Sequence, residues 1–167
     1  MATVVYKVGN DISTDVIYPG RFMATVLPSE TPLLAFADDA AFNAKLKAKQ
    51  IPPGSVLLGG QNFGCGSSRE QAVSCLKGHE LIIVAKSFAR IFLQNAINLG
   101  LRVVTCPNIE ANVGDELEIS ATAVTNKSSG KEFFLVSLPK SRQAIIDAGG
   151  LIPFTRKRLL EGAQTTR

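Results

Sequence analysis

Histidine is nearly missing from this chain of 167 residues. The one present, His79, follows Gly78 at the far end of a helical stretch, about 15 Å along roughly ten helical residues from the nearest serine pair. A Ser/His/Asp hydrolase is therefore not expected, and His79 reads as a helix C-terminal residue. Cysteine is scarce too: Cys65, Cys75 and Cys106 match no CxxC or zinc spacing. An odd, scattered set suits a reducing compartment better than a disulfide framework. No apolar run approaches a membrane span and no signal-peptide pattern opens the chain, so a cytoplasmic protein with no membrane partner is expected. Repeats and linkers are also absent, and a content of 46% hydrophobic and 19% charged residues is that of one ordinary domain over residues 1–167. The net charge of +4 comes from scattered lysines and arginines, apart from Arg156-Lys157-Arg158. Nothing interleaves them with aromatics, so no nucleic-acid partner is expected, and a solvated helix end explains the run.

What the chain does have is concentrated in residues 59–72, GGQNFGCGSSREQA. The apolar run Val56-Leu57-Leu58 leads into four uncharged-turn glycines, and the first charges, Arg69 and Glu70, come where a helical pattern begins. Glycines let main-chain N–H groups approach a ligand closely. The free N–H groups and positive end of a helix opening near Ser67 or Ser68 would face whatever enters the turn, and an anion fits there. Arg69 can grip a carboxylate by two parallel hydrogen bonds. Taken alone, the two serines read more readily as N-caps, and Arg69 as a solvated residue. Cys65 lies inside the turn, although free cysteines more often fill space than react.

Better-known glycine motifs do not fit. A phosphate-binding P-loop needs a lysine where Gly66 stands, a dinucleotide fingerprint needs glycine in place of Arg69, and a nucleophile elbow needs a second glycine beyond Ser67 or Ser68.

Along the chain, residues 3–8 form an opening strand, and residues 11–28 are too broken for either regular period. A helix is expected over 38–50, acids first and lysines last. Then follow a strand at 56–58, the glycine turn, a helix over 69–77, a strand over 80–85 buried on both faces, a helix over 88–98 and a strand over 101–105. Ser87 and Arg90 flank the start of that last helix, as cap and surface charge. This alternation is the grammar of a parallel sheet, with ligands at the carboxyl ends of its strands. Residues 116–125 and 132–137 read as two antiparallel strands joined by the hairpin 126–131. Helices over 140–148 and 155–160 finish a mixed α/β chain.

Three stretches, GNDISTDVIYPGRF from Gly9, NFGCGSSREQA from Asn62 and AKSFARIFLQNAINLGL from Ala85, together resemble the small subunits of 3-isopropylmalate dehydratase, which correspond to the swivelling domain of the aconitase superfamily. The resemblance spans nearly the whole chain. It implies a single swivelling β/β/α domain with a mainly parallel central sheet, added antiparallel strands and helices packed around them.

It further implies a hydro-lyase, active only with its large subunit, that isomerises 2-isopropylmalate to 3-isopropylmalate by dehydration and rehydration in leucine biosynthesis. Ser67 would be general base and acid, Ser68 and Arg69 would hold the substrate carboxylate, and Gly66 and Asp15 would also bind substrate. Such chemistry needs a base, a clamp and a Lewis acid for the leaving oxygen. A serine serves as base only where neighbouring positive charge stabilises its alkoxide. No cofactor is expected in this chain and none of its residues as a metal ligand, since no three cysteines are spaced for a cluster. A [4Fe–4S] cluster is expected on a large subunit, in a heterodimer or heterotetramer.

The resemblance also places a substrate-reading loop at Arg21, Phe22, Met23, Ala24 and Thr25. Relatives that act on tricarboxylic acids carry an arginine where Ala24 stands, and alanine cannot neutralise a buried carboxylate. The substrate is thus expected to be a small hydroxy-dicarboxylic acid with a hydrocarbon side group; core packing of Phe22 and Met23 is the plainer reading. Gln71 replaces a histidine common among relatives and weakens the substrate assignment more than the reaction. The alternatives are a related dehydratase of homoaconitase, methylmalate or dimethylmalate type, or a non-catalytic anion-binding module.

Overall fold

Apolar strands without a polar face must be covered on both sides, and this chain covers them by curling its sheet. A computed structural model describes the backbone of residues 1–165 and the side chains of residues 1–161. Seven strands form one sheet in the order β4-β3-β2-β1-β5-β6-β7, where β1 is Ala2–Lys7, β2 Val56–Gly59, β3 Ile82–Ala85, β4 Val103–Thr105, β5 Glu116–Ile119, β6 Ala123–Asn126 and β7 Lys131–Phe134. The first four run parallel, and β5, β6 and β7 continue antiparallel from β1. The far edges meet after the curl: the N–H of Val136 donates to the carbonyl of Thr105 at 2.8 Å.

Period-two alternation sorts the side chains. Val56, Leu58, Ile82, Val84 and Val104 point inside the curl with Leu117 and Val124. Leu57, Ile83, Ala85 and Val103 face the helices. There they meet α2 (Ala40–Lys47), α3 (Glu70–Gly78), α4 (Arg90–Leu99) and α5 (Lys140–Asp147), through Leu46, Leu76, Phe92 and Ile146. β1 obeys the alternation only in part. Val4 pairs with Val56 but Tyr6 with Leu57, so one extra residue bulges at Val5. Val4 therefore lies inside the curl, whereas Tyr6 and Val8 pack on the helix face.

Several elements differ from the sequence reading. The broken segment 11–28 contains one helical turn, α1 (Thr14–Ile17), and a 3₁₀ turn, Gly20–Phe22; a further 3₁₀ turn is Thr31–Leu34. The expected strand 116–125 is two strands. The hydroxyl of Ser120 accepts from the N–H of Ala123 at 3.0 Å and of Thr122 at 3.3 Å, folding a turn that propensity alone does not reveal. The last helix, α6, is Leu151–Thr165, longer than 155–160, because Pro153 sits in its first turn, where no intrahelical N–H is lost.

Candidate active site

β2 ends at Gly59, and the turn beyond it is stitched on two sides. From the segment that leaves β1, Gly9 accepts from the Gly60 N–H at 3.0 Å and Ile12 from the Gly64 N–H at 2.7 Å, while the Thr14 N–H donates to Cys65 at 2.8 Å. From the segment between β3 and α4, the Ser87 hydroxyl accepts from the Asn62 N–H at 2.8 Å and its carbonyl from the Phe63 N–H at 3.0 Å. Ser87 is thus a strut of the turn and not the cap of α4, whose N-cap is Ala89. Phe63, fully buried, packs edge-on to Phe92 with 5.3 Å between centroids. Gly64 permits this contact: its φ is +80°, and a Cβ there would lie 2.2 Å from Phe92.

Gly66, Ser67 and Ser68 are exposed at the end of this rigid turn. The helix α3 starts at Glu70, later than expected, with Arg69 as N-cap and no side chain bonding its first turn. The capping reading of the serines is thereby corrected: among the described residues neither hydroxyl has a hydrogen-bond partner, because the chain is still extended at Arg69. The backbone N–H groups of Gly66, Ser67, Ser68, Arg69 and Glu70 also find no acceptor among the described residues. Five free donors in sequence lie at the positive end of a helix, a setting that favours an anion. One strut fixes this stretch: the buried Thr14 donates its hydroxyl to the Ser67 carbonyl at 2.9 Å.

Arg69 does not point to solvent. Its side chain is 13% exposed, pairs through Nη1 with Asp15, and donates to the Tyr18 carbonyl at 3.1 Å. The Nε and Nη2 edge keeps no partner among the described residues and is the edge that grips a carboxylate in two parallel bonds. Gly20 leaves room for it, since a Cβ there would stand 3.2 Å from Nη2.

The loop 20–25 lies beside this arginine. Arg21 pairs with Asp38 through both guanidinium nitrogens and covers the Phe22 ring at 4.6 Å, which holds the Asp38 carboxyl below its usual range. The hydroxyl of buried Tyr18 reaches the carbonyls of Phe22 at 3.3 Å and Thr25 at 3.0 Å. Gln71 donates to the Met23 carbonyl at 3.4 Å, joining the loop to the first turn of α3. Phe22 is half-buried against the core; Met23 and Ala24 are exposed. With Arg21 already neutralised, the loop presents hydrocarbon.

The structure thus gathers Asp15, Ser67, Ser68 and Arg69 with the loop, and sets the other candidates apart. Cys65 donates its thiol to the Asp11 carbonyl at 3.3 Å, and His79 is the C-cap of α3, bonded to the Pro32 carbonyl at 2.8 Å. Burial raises the thiol pKa of Cys75 and Cys106. Among the described residues, no three His, Cys, Asp or Glu side chains converge as metal ligands, and no helix is long and apolar enough to cross a membrane. The resemblance sets Thr14 beside Asp15 near the site without its role as a strut, the sequence reads Ser87 as a cap, and it misses Tyr18, whose signal is a hydroxyl inside a proline-broken loop.

The profile described as the aconitase C-terminal domain matches residues 12–108, more than half of the chain, and the curled mixed sheet with its glycine turn is thus an aconitase-type domain. The chain is 40% identical over 161 residues to the 3-isopropylmalate dehydratase small subunit of Thermodesulfovibrio yellowstonii, covering 93% of each. It is 40% identical over 163 residues to the isopropylmalate/citramalate isomerase small subunit of Methanocaldococcus jannaschii, covering 94% of each. A crystal structure of 3-isopropylmalate dehydratase from the same archaeon superposes with a TM-score of 0.87 at 35% identity, covering 98% of this chain and 97% of that one. The chain belongs to the family of 3-isopropylmalate dehydratase small subunits.

Proposed function

We propose that this chain is the small subunit of a hydro-lyase that interconverts 2-isopropylmalate and 3-isopropylmalate, and that it supplies the proton-transfer and carboxylate-binding half of the active site. The reading is carried by one observation: the Ser67 hydroxyl is exposed and unpartnered on a turn whose five consecutive N–H groups are also free. A serine so placed loses its proton more readily, because these N–H groups and the guanidinium of Arg69 stabilise the alkoxide.

In this mechanism a substrate carboxylate takes the free Nε and Nη2 edge of Arg69 and the N–H groups of Gly66 and Ser68. Asp15 contributes to binding by orienting Arg69, since one carboxylate would repel another directly. Ser67 removes the proton adjacent to the carboxylate, holds it on its hydroxyl, and returns it when water adds back. Phe22, Met23 and Ala24 face the side group, which suits an isopropyl group and leaves a third carboxylate uncompensated. Arg21 and Thr25 hold the loop in place.

A [4Fe–4S] cluster on the large subunit would supply the Lewis acid for the departing hydroxyl. The small-subunit names of the relatives support a larger partner. The resulting complex, heterodimer or heterotetramer, has its active site between chains and works in the cytoplasm, as a step of leucine biosynthesis.

The test is turnover of the reconstituted complex. Ser67→Ala is expected to lower kcat by several orders of magnitude while the complex still forms, as removal of an essential proton-transfer group does. Unchanged turnover would reduce this domain to an anion-binding module, and turnover by the isolated chain would refute the division of labour. A second reading, activity on citramalate, which is 2-methylmalate, is favoured by the name of the Methanocaldococcus jannaschii relative and by the same apolar loop. Comparing kcat/KM for the two acids decides between them.

A further inference from the structure

A separate cavity of about 420 Å³ opens at the mouth of the curled sheet, between the carboxyl ends of β1 and β2 and residues 109–112. Its size is that of a small-molecule site. Neither Asp15 nor any of residues 66–69 lines it. Leu58, Ile109 and Ala111 make an apolar floor, and Lys7, Lys86 and Lys131 stand around it.

The two carboxylates in this cavity already have partners. Glu110 is paired with Lys131 at 2.7 Å, and Asp115 accepts from the Asn112 N–H and from the Asn126 amide, each at 2.8 Å. The donors are in surplus. The Lys86 ammonium and the side-chain amide nitrogens of Asn10 and Asn112 have no acceptor among the described residues, and Lys7 uses one proton on the Asn112 carbonyl oxygen at 3.0 Å. Three ammonium groups against two carboxylates leave the cavity positive. Spare donors, partnered carboxylates and a hydrocarbon floor are complementary to an acceptor-only head on a short aliphatic body.

We infer that this cavity binds a small aliphatic carboxylate, with its carboxylate on Lys7 and Lys86 and its hydrocarbon on Leu58, Ile109 and Ala111. The site is independent of Ser67 and Arg69. It still touches the glycine turn, because Asn10 and Gly60 belong to both: the Asn10 oxygen accepts from the Gln61 N–H at 2.8 Å. Occupancy of the cavity is therefore visible in the turn's amides.

The experiment is a titration of the ¹⁵N-labelled full chain with isobutyrate, beside inorganic phosphate and chloride at matched ionic strength. Saturable shifts with isobutyrate are expected at Gly9, Asn10, Gly60 and Ala111. Lys86→Ala should raise Kd about tenfold, the effect of losing one charged hydrogen bond, and Lys86→Arg should restore it. Lys7→Gln should act in the same direction as Lys86→Ala, so the test survives if one variant does not fold. Arg69→Ala should leave the titration unchanged, which separates this site from the proposed active site. Shifts confined to residues 66–70, an equal response to phosphate, or no saturation at millimolar isobutyrate would each overturn the assignment.

Discussion

The parallel and antiparallel halves of the sheet are built to different tolerances. Every residue of β2 and β3 is buried, whereas β7 leaves Phe134 77% exposed, and two of the ion pairs of that half, Lys127 with Glu118 and Lys131 with Glu110, lie in solvent. Exposed pairs of this kind add little to stability. The candidate catalytic turn belongs to the tight half, which fixes it by main-chain bonds from two directions. The antiparallel half serves as a cover and seals the curl. The contrast teaches that rigidity is concentrated where a serine and an arginine have to be held in register.

The sharpest way to break this comparison is a methyl group on equivalent left-handed glycines. Gly64→Ala places a Cβ 2.2 Å from Phe92 at φ +80°, and should cost about 4 kcal/mol in urea unfolding. Gly130→Ala, in the β6–β7 turn at φ +72° with nothing within 4 Å, should cost only about 1 kcal/mol. Equal costs would mean that the two halves do not differ. Next, Leu57→Ala should lose about 3 kcal/mol by opening a void between sheet and helices, while Phe134→Ser should stay within about 0.5 kcal/mol. Thr14→Val removes the strut to the Ser67 carbonyl and should cost about 1 kcal/mol. Its kcat in the complex should fall further than that loss explains.

The smallest effect is pH dependence around Tyr6 and Asp39. The Tyr6 hydroxyl and the Phe42 N–H hold the Asp39 carboxyl below its usual range. A depressed acid contributes stability above its unfolded pKa, so this contribution is present above about pH 4 and lost as pH falls through the folded value. Burial and Asp39 push the Tyr6 phenol up to about 12, a contribution present below about pH 10 and lost as pH rises to that value. Tyr6→Phe should flatten the alkaline limb of a thermal-unfolding pH series, and Asp39→Asn the acid limb.

The tight half was also the readable one. Runs such as ELIIVA and the glycine-rich turn leave the chain few options, so the parallel strand–helix alternation and the turn's place at a strand's carboxyl end follow from sequence. The loose half was not. The break at Ser120 depends on one hydroxyl choosing the backbone of its neighbours, and α6 begins before a proline that reads as a stop. At the site, Ser67 and Arg69 were legible as residue types. Their surroundings were not, because the side-chain contacts of Arg69 with Asp15 and of Thr14 with Ser67 span 54 and 53 residues.

The bulge at Val5 has a consequence for insertions and deletions. It acts as a half-step in the chain's phase, after which Tyr6 and Val8 face the helices and the exit toward Gly9 and Thr14 arrives beside the turn. Flattening the bulge with the residue kept would send Tyr6 into the barrel-like interior, whereas deleting Val5 would set Tyr6 directly after Val4 and keep it on the helix face. One surplus peptide unit is thus absorbed without shifting the pairs on either side, and the first strand should tolerate the loss of that residue better than the loss of Val4 or Tyr6.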